Sequence, residues 1–160
     1  MKDAVCCPKF DVKKWDNKTF VRKSKPFIQE SIPQLFHIPF FPMTGKKITK
    51  MWNLAEASKA MAPNKEDTLI MFHDPSAFKS EIYFSVTKNV SKANNVKLSG
   101  TFMSKVFEGP YNAIPGFIKQ MDQYLATKKK RAKRYYIHYA YCPKCEKKYG
   151  HHYMLFLAQV

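Results

Sequence analysis

No window of this sequence approaches the ~18 apolar residues that a membrane helix needs, and Met1-Lys-Asp-Ala-Val-Cys6 carries no apolar stretch of the kind a secretory signal has. These absences read as a cytosolic chain with no membrane partner. Cysteine is sparse too, at 4 residues in 160. In a reducing compartment such cysteines are thiols or metal ligands rather than disulfides. Acids are scarce: 12 Asp and Glu stand against 28 Lys and Arg, a formal charge of +16. That balance speaks of solubility and attraction to anions and leaves the fold open. It also narrows any search for a catalytic carboxylate, because few of the acids fall on strands.

Aromatic residues make up 15% of the chain, far more than a disordered segment carries, so a packed core and an aromatic-lined cavity are expected. A chain of 160 residues reads as one domain that buries roughly two thirds of its unfolded surface. Residues 1–34 read as an extended arm, with a short strand at Thr19-Phe-Val-Arg-Lys23 stopped by Pro26, and with Trp15 packed on the body. Gln34 to Phe41 reads as an edge strand because Pro33, Pro39 and Pro42 punctuate it. Thr44 caps a helix with Ile48, Met51, Trp52, Ala55 and Ala62 on one side. Thr68 to His73 is a strand, Asp74-Pro75 a turn, and Glu81 to Thr87 a second strand.

The same order then recurs. Thr101 to Phe107 is a strand that Gly109-Pro110 stops; Ile114, Phe117, Ile118, Met121 and Leu125 mark a helix; Arg134–Tyr141 and Tyr153–Val160 are strands. The expectation is an α+β fold, a tandem pseudo-twofold repeat of two β-α-β-β units (35–97 and 98–160) behind the 1–34 arm. The strands form an antiparallel sheet with helices on one face and a ligand groove on the other, the junction of two repeats being a usual place for a pocket.

His73-Asp-Pro75, Glu81-Ile-Tyr-Phe-Ser-Val86 and Phe107-Glu-Gly-Pro-Tyr111 ahead of a helix resemble the gyrase-inhibitor-like (GyrI-like) superfamily over about residues 35–160. That superfamily includes SOUL haem-binding proteins and the effector domains of multidrug-sensing regulators. Cys6-Cys-Pro-Lys-Phe-Asp11, Trp15-Asp16 and Cys142-Pro-Lys-Cys145 further resemble a small group of stand-alone bacterial members often labelled hydrolases. The resemblance implies a tandem repeat and a small-molecule groove flanked by Tyr111. It also implies hydrolysis of electrophilic, cyclopropane-bearing DNA alkylators by a glutamate and a tyrosine. The sequence reads as a stand-alone member without an appended DNA-reading domain, and Tyr135–Tyr141 lacks the glutamate that several multidrug sensors carry on that strand.

Glu81 is the favoured acid, since it shares a strand face with Tyr83 and Ser85, opposite Ile82, Phe84 and Val86. A carboxylate facing an aromatic groove can act as a general base or contact a cation. Glu108 is the second acid, although it also reads as a lysine partner, and Tyr139 is a proton donor to a departing oxygen. Trp52, Tyr83, Phe107, Tyr111 and Tyr141 are the candidate groove walls. His73 and His138 read as structural.

Cys142-Pro-Lys-Cys145 has the spacing of half a zinc site, whose other half would come from Cys6 and Cys7 or from His151 and His152; Cys7, Cys142 and Cys145 are the candidate ligands of a structural zinc. Otherwise these are thiols that pin the arm near the last hairpin. A thioredoxin-like role needs the motif to open a helix after a strand, and Glu146-Lys-Lys-Tyr-Gly150 reads as a hairpin turn. Lys128 to Arg134 has six basic residues in seven and predicts weak, salt-sensitive affinity for nucleic acid. Together the residues point to a small-molecule-binding protein, with hydrolysis of an electrophile as its chemistry. A non-enzymatic module that sequesters a ligand or masks a partner surface is one alternative, and a basic nucleic-acid-binding protein is the other.

Overall fold

The computed structural model describes residues 7 and 9–160, apart from 36, 37, 40, 77 and 142 and the side chains of 38, 39, 41, 42, 143 and 144. Along the chain lie α1 (Val12–Trp15), β1 (Lys18–Leu35), β2 (Ile38–Pro39), α2 (Phe41–Ala57), β3 (Ile70–Ser76) and β4 (Lys79–Ser85). They are followed by β5 (Asn95–Glu108), α3 (Ile114–Thr127), β6 (Arg134–Tyr139), α4 (Pro143–Tyr149) and β7 (Tyr153–Gln159). The protein is α+β, with antiparallel strand pairs and helices. It divides into two compact units, Arg22–Ser99 and Met1–Val21 with Gly100–Val160.

In the unit Arg22–Ser99, β4 is the central strand, pairing antiparallel with β1 on one side and β3 on the other. Strand alternation divides its residues cleanly. Ile28, Glu30 and Ile32 of β1, Ile70 and Phe72 of β3, and Ile82 and Phe84 of β4 share the face toward α2. Trp52 of α2 meets Phe84 edge-on at 5.9 Å, and Met51 and Ala55, one turn apart, are fully buried. Glu30 is bridged to the same helix by Lys47 and Lys50, both at 3.0 Å. Burial works to raise the Glu30 pKa, but the two lysine hydrogen bonds prevail and hold it below the usual carboxylate range.

In the other unit β7 is central, with β5 and β6 antiparallel to it. Met103, Phe107, Met154, Phe156 and Ala158 turn toward α3 and enclose Met121 and Leu125. Phe107 stacks on Phe117 at 4.8 Å. A Cβ at Gly109 would lie 2.9 Å from Cζ of Phe117, so a larger residue there would displace that ring. The face away from α3 is covered by the chain's own N-terminal segment. Asp11 caps α1, its Oδ1 accepting from the Lys13 and Lys14 amides at 3.0 and 3.3 Å. The Ser104 hydroxyl donates to the Trp15 carbonyl, the Val106 amide donates to Asp16 Oδ1 at 2.9 Å, and Trp15 is buried as expected.

Four local expectations are corrected. Residues 18–35 form one long strand rather than an arm, because proline's fixed φ suits extended backbone and costs only a donor. The Pro26 carbonyl still accepts from the Val86 amide at 3.2 Å. Helix α2 starts at Phe41, not at a Thr44 cap, since Pro42 sits in a first turn whose amides need no partner; it ends at Ala57 rather than Ala62. Asp74-Pro75 is no turn but a register irregularity inside β3, between His73 and Ser76. The segment read as a hairpin turn at 146–150 is α4, closed by Gly150 at φ 75° with its amide donating to the Glu146 carbonyl at 2.8 Å.

Candidate functional site

The face of β1, β4 and β3 that turns away from α2 carries the polar residues. Glu81 has His73 as its cross-strand partner on β3 and Ser31 on β1; Tyr83 has Met71 and Gln29. Directly opposed side chains of an antiparallel pair stand roughly 5 Å apart at Cβ, so these six form one contiguous patch. Alternation also brings Glu81 and Tyr83 to the same side of β4, two residues apart.

The phenol is held from two directions. Tyr83 Oη donates to Glu81 Oε1 at 3.0 Å and accepts from Gln29 Nε2 at 3.0 Å. Gln29 is itself fixed: its Oε1 accepts from Asn94 Nδ2 at 3.0 Å, and its amide donates to the Asn94 carbonyl at 2.9 Å. With Gln29 giving an amide hydrogen to the phenol, the phenol's own proton is turned toward the carboxylate. Tyr83 is 4% exposed, and Phe27 meets its ring edge-on at 6.4 Å. The result is a carboxylate whose neighbour is a pre-oriented hydroxyl at the edge of an aromatic wall. Such a pair can accept a proton at one atom and supply one at the next.

The remaining candidates fall elsewhere. Trp52 lies on the α2 side, against Phe84, with Lys65 over its ring at 5.6 Å. Phe107 is in the α3 core. Glu108 is half exposed and its Oε2 lies 2.9 Å from His151 Nδ1, so the expected lysine partner is a histidine. Tyr111 and Tyr139 do meet, edge-on at 5.3 Å, with His152 against Tyr111 at 4.7 Å. Tyr141 is buried in a cluster with Cys145; its hydroxyl accepts from the Phe10 amide at 2.8 Å and burial pushes its pKa up. Cys7 packs against that same cluster, whereas Cys142 lies outside the described residues. Among the described residues no three His, Cys, Asp or Glu side chains form a group that could hold a metal.

Gln29, Asn94 and His73 are the site residues that sequence reasoning did not use. Gln29 falls in the stretch after Pro26 that reads as extended arm, where no strand alternation points to it. His73 reads from the sequence as a lone strand histidine, and the register that sets it opposite Glu81 comes with the pairing of β3 and β4.

The fold recurs in solved structures. A hydrolase from Listeria innocua is 9% identical with a TM-score of 0.59, over 94% of this chain and 99% of its own. The C-terminal domain of EcmrR is 9% identical at a TM-score of 0.57, over 91% and 96%. SAV2435 bound to tetraphenylphosphonium is 9% identical at 0.52, over 91% and 93%. At these identities the likeness is one of fold. No curated protein matches the chain. No helix among the described residues is long and apolar enough to cross a membrane. Residues 1–160 match the model of the Bacterial hydrolase family, and the chain belongs to that family.

Proposed function

We propose that this protein binds a small organic molecule on the β1–β4–β3 face and hydrolyses it, with Glu81 as general base and Tyr83 as proton donor. The observation that carries the proposal is the Tyr83–Glu81 hydrogen bond, oriented by Gln29. Glu81 takes a proton from water while the water oxygen attacks the electrophilic carbon. As the carbon–leaving-group bond breaks, the departing atom takes the Tyr83 proton. The Glu81 carboxylic acid then returns its proton to the phenolate across the 3.0 Å contact, so both groups are restored. Tyr83 thus takes the role first given to Tyr139, and Glu81 is preferred to Glu108, which is exposed and paired with His151.

Membership of a family called Bacterial hydrolase supports the reaction type, and the ligand in SAV2435 supports small-molecule binding. The GyrI-like resemblance supports electrophilic, cyclopropane-bearing compounds as the substrate class. The tandem repeat belongs to the same reading: β1-α2-β3-β4 has strand order β1–β4–β3, and β5-α3-β6-β7 has order β5–β7–β6. A binder without turnover is the second reading, favoured by the effector-domain neighbour.

A thermal-shift and turnover screen tests this, with tetraphenylphosphonium and a panel of strained-ring and ester electrophiles. Ligands that bind the folded state raise the melting temperature. Glu81→Gln and Tyr83→Phe should each cut turnover at least ~100-fold while leaving the thermal shift intact. Binding with no turnover of any electrophile would reduce the protein to a binder. No shift with any compound would remove the ligand-handling function altogether.

A further inference from the structure

The basic run Lys128 to Arg134 plays no part in the proposed chemistry, and in the structure it is neither loose nor alone. It forms the C-terminal cap of α3. The Lys128 and Lys130 amides both donate to the Leu125 carbonyl at 2.9 Å, and the Lys129 amide donates to the Ala126 carbonyl at 3.0 Å. Lys129 takes the left-handed φ of 59° that closes such a cap. The Lys133 amide then donates to the Gln159 carbonyl of β7 at 2.6 Å. Backbone bonds at both ends therefore fix where these side chains start.

Distant parts of the chain bring further cations to the same place. Lys105 of β5 sets its ammonium 5.0 Å from the centroid of the Tyr124 ring, and Lys128 sets its own 5.9 Å from that ring. Lys105 Nζ also donates to Asn17 Oδ1 at 3.2 Å, and the Lys18 amide donates to the hydroxyl of Ser104 at 3.3 Å. Residues 11–18, 105 and 122–134 thus meet, and they hold ten Lys and Arg against Asp11, Asp16 and Asp122. Those three acids are engaged: Asp11 by two amides of α1, Asp16 by the Val106 amide and Asp122 by the Tyr135 hydroxyl. Among the described residues Lys18, Lys105, Lys128, Lys130, Arg131 and Lys133 enter no ion pair. A helix C-terminus favours a cation or two in its last turn, which accounts for neither Lys105 nor Lys18, both on strands.

We propose that this composite surface binds the phosphodiester backbone of a nucleic acid. Like charges gathered on fixed backbone repel one another, and a polyanion relieves that repulsion while releasing its own counterions. Outward from α3 stand Gln120, Asp122 and Gln123 rather than an apolar stripe, so a bilayer has nothing there to take up. Affinity therefore depends on Lys18 and Lys105 as well as on the contiguous run, which separates a built surface from a charged loop.

The experiment is fluorescence anisotropy of the full-length protein with labelled mixed-sequence duplex DNA, single-stranded DNA and RNA, from about 50 to 300 mM salt. A slope of about −5 in log affinity against log salt is expected on duplex DNA, that of roughly six phosphate contacts. Lys18→Ala, Lys105→Ala and Lys130→Ala should each lower affinity ~5-fold and the slope by about 1, whereas Lys105→Arg keeps both. Lys46→Ala and Lys88→Ala remove the same charge from exposed positions of the other unit and should change neither. Whichever of the three oligonucleotides binds tightest identifies the partner. Should Lys105→Ala lower the melting temperature, Lys105→Gln, which keeps the stem, decides in its place. Equal losses from all the alanine variants would show net charge alone at work and overturn the proposal. So would a loss from Lys130→Ala with none from Lys18→Ala or Lys105→Ala. Binding to phosphatidylserine vesicles or to polyglutamate as tight as to every oligonucleotide overturns it as well.

Discussion

Each unit of this molecule has a strand trio with a helix on one face, and the opposite faces are used in contrasting ways. Behind β5, β7 and β6 that face receives Phe10, Trp15 and the Asp16 carboxylate of the chain's own N-terminal segment. Across β1, β4 and β3 it carries Glu81, Tyr83, His73 and Gln29 instead. The first face is closed by covalently attached chain and is structural. The second carries a hydrogen-bonded series from Asn94 through Gln29 and Tyr83 to Glu81, an arrangement suited to positioning groups for chemistry.

Substitutions on the two faces should therefore separate stability from activity. Trp15→Ala should produce the largest effect, a loss of about 3–5 kcal/mol by denaturant unfolding, with ligand binding retained at temperatures where the protein is folded. A loss below ~1 kcal/mol would show that the covering segment is not integral. Ser104→Ala comes next, at about 1–3 kcal/mol, because the buried hydroxyl serves the Trp15 carbonyl and its removal leaves that acceptor without a donor. Tyr83→Phe should cost only about 0.5–1.5 kcal/mol while turnover collapses; a larger stability loss with normal turnover would reverse the contrast.

Glu30→Gln should have the smallest effect, under ~1 kcal/mol at neutral pH, since Lys47 and Lys50 are substantially exposed. Its sign with pH is fixed by the lowered pKa. The charged form is favoured in the folded state, so the stabilisation is present above the unfolded carboxylate pKa and fades as pH falls through the lower folded value. Unfolding curves of wild type and variant should converge in acid, and a gap that widens there would contradict the lysine bridges. On the same surface scale, the exposed run Lys128 to Arg134 should retain DNA only at low salt and release it by about 0.5 M.

Periodicity made much of this fold legible. Ile114, Phe117, Ile118, Met121 and Leu125 announced α3, and alternation through Ile82, Phe84 and Val86 placed Glu81 and Tyr83 together on the other side of β4. Proline hid the rest. Pro26 reads as a stop and Pro33 as the mark of a separate edge strand, so the 18-residue strand that carries Gln29, the residue that orients the phenol, does not show in the pattern. Helix α4 escaped because seven residues beginning with Pro and ending before Gly show neither the length nor the apolar stripe of a helix. Which aromatic wall a residue joins is settled by register and by long-range packing, so Trp52 and Phe107 read as groove walls when one faces Phe84 and the other Phe117.

Because the strip from Phe10 to Asp16 docks on β5, β6 and β7, one compact unit is assembled from opposite ends of the chain, whereas Arg22–Ser99 is continuous. On the ribosome the continuous unit can finish while synthesis is still under way; the other must hold its opening residues in reserve until β7 has emerged. A pause or a premature stop beyond Ser99 would leave a nascent chain half folded, with Trp15 still waiting for its seat.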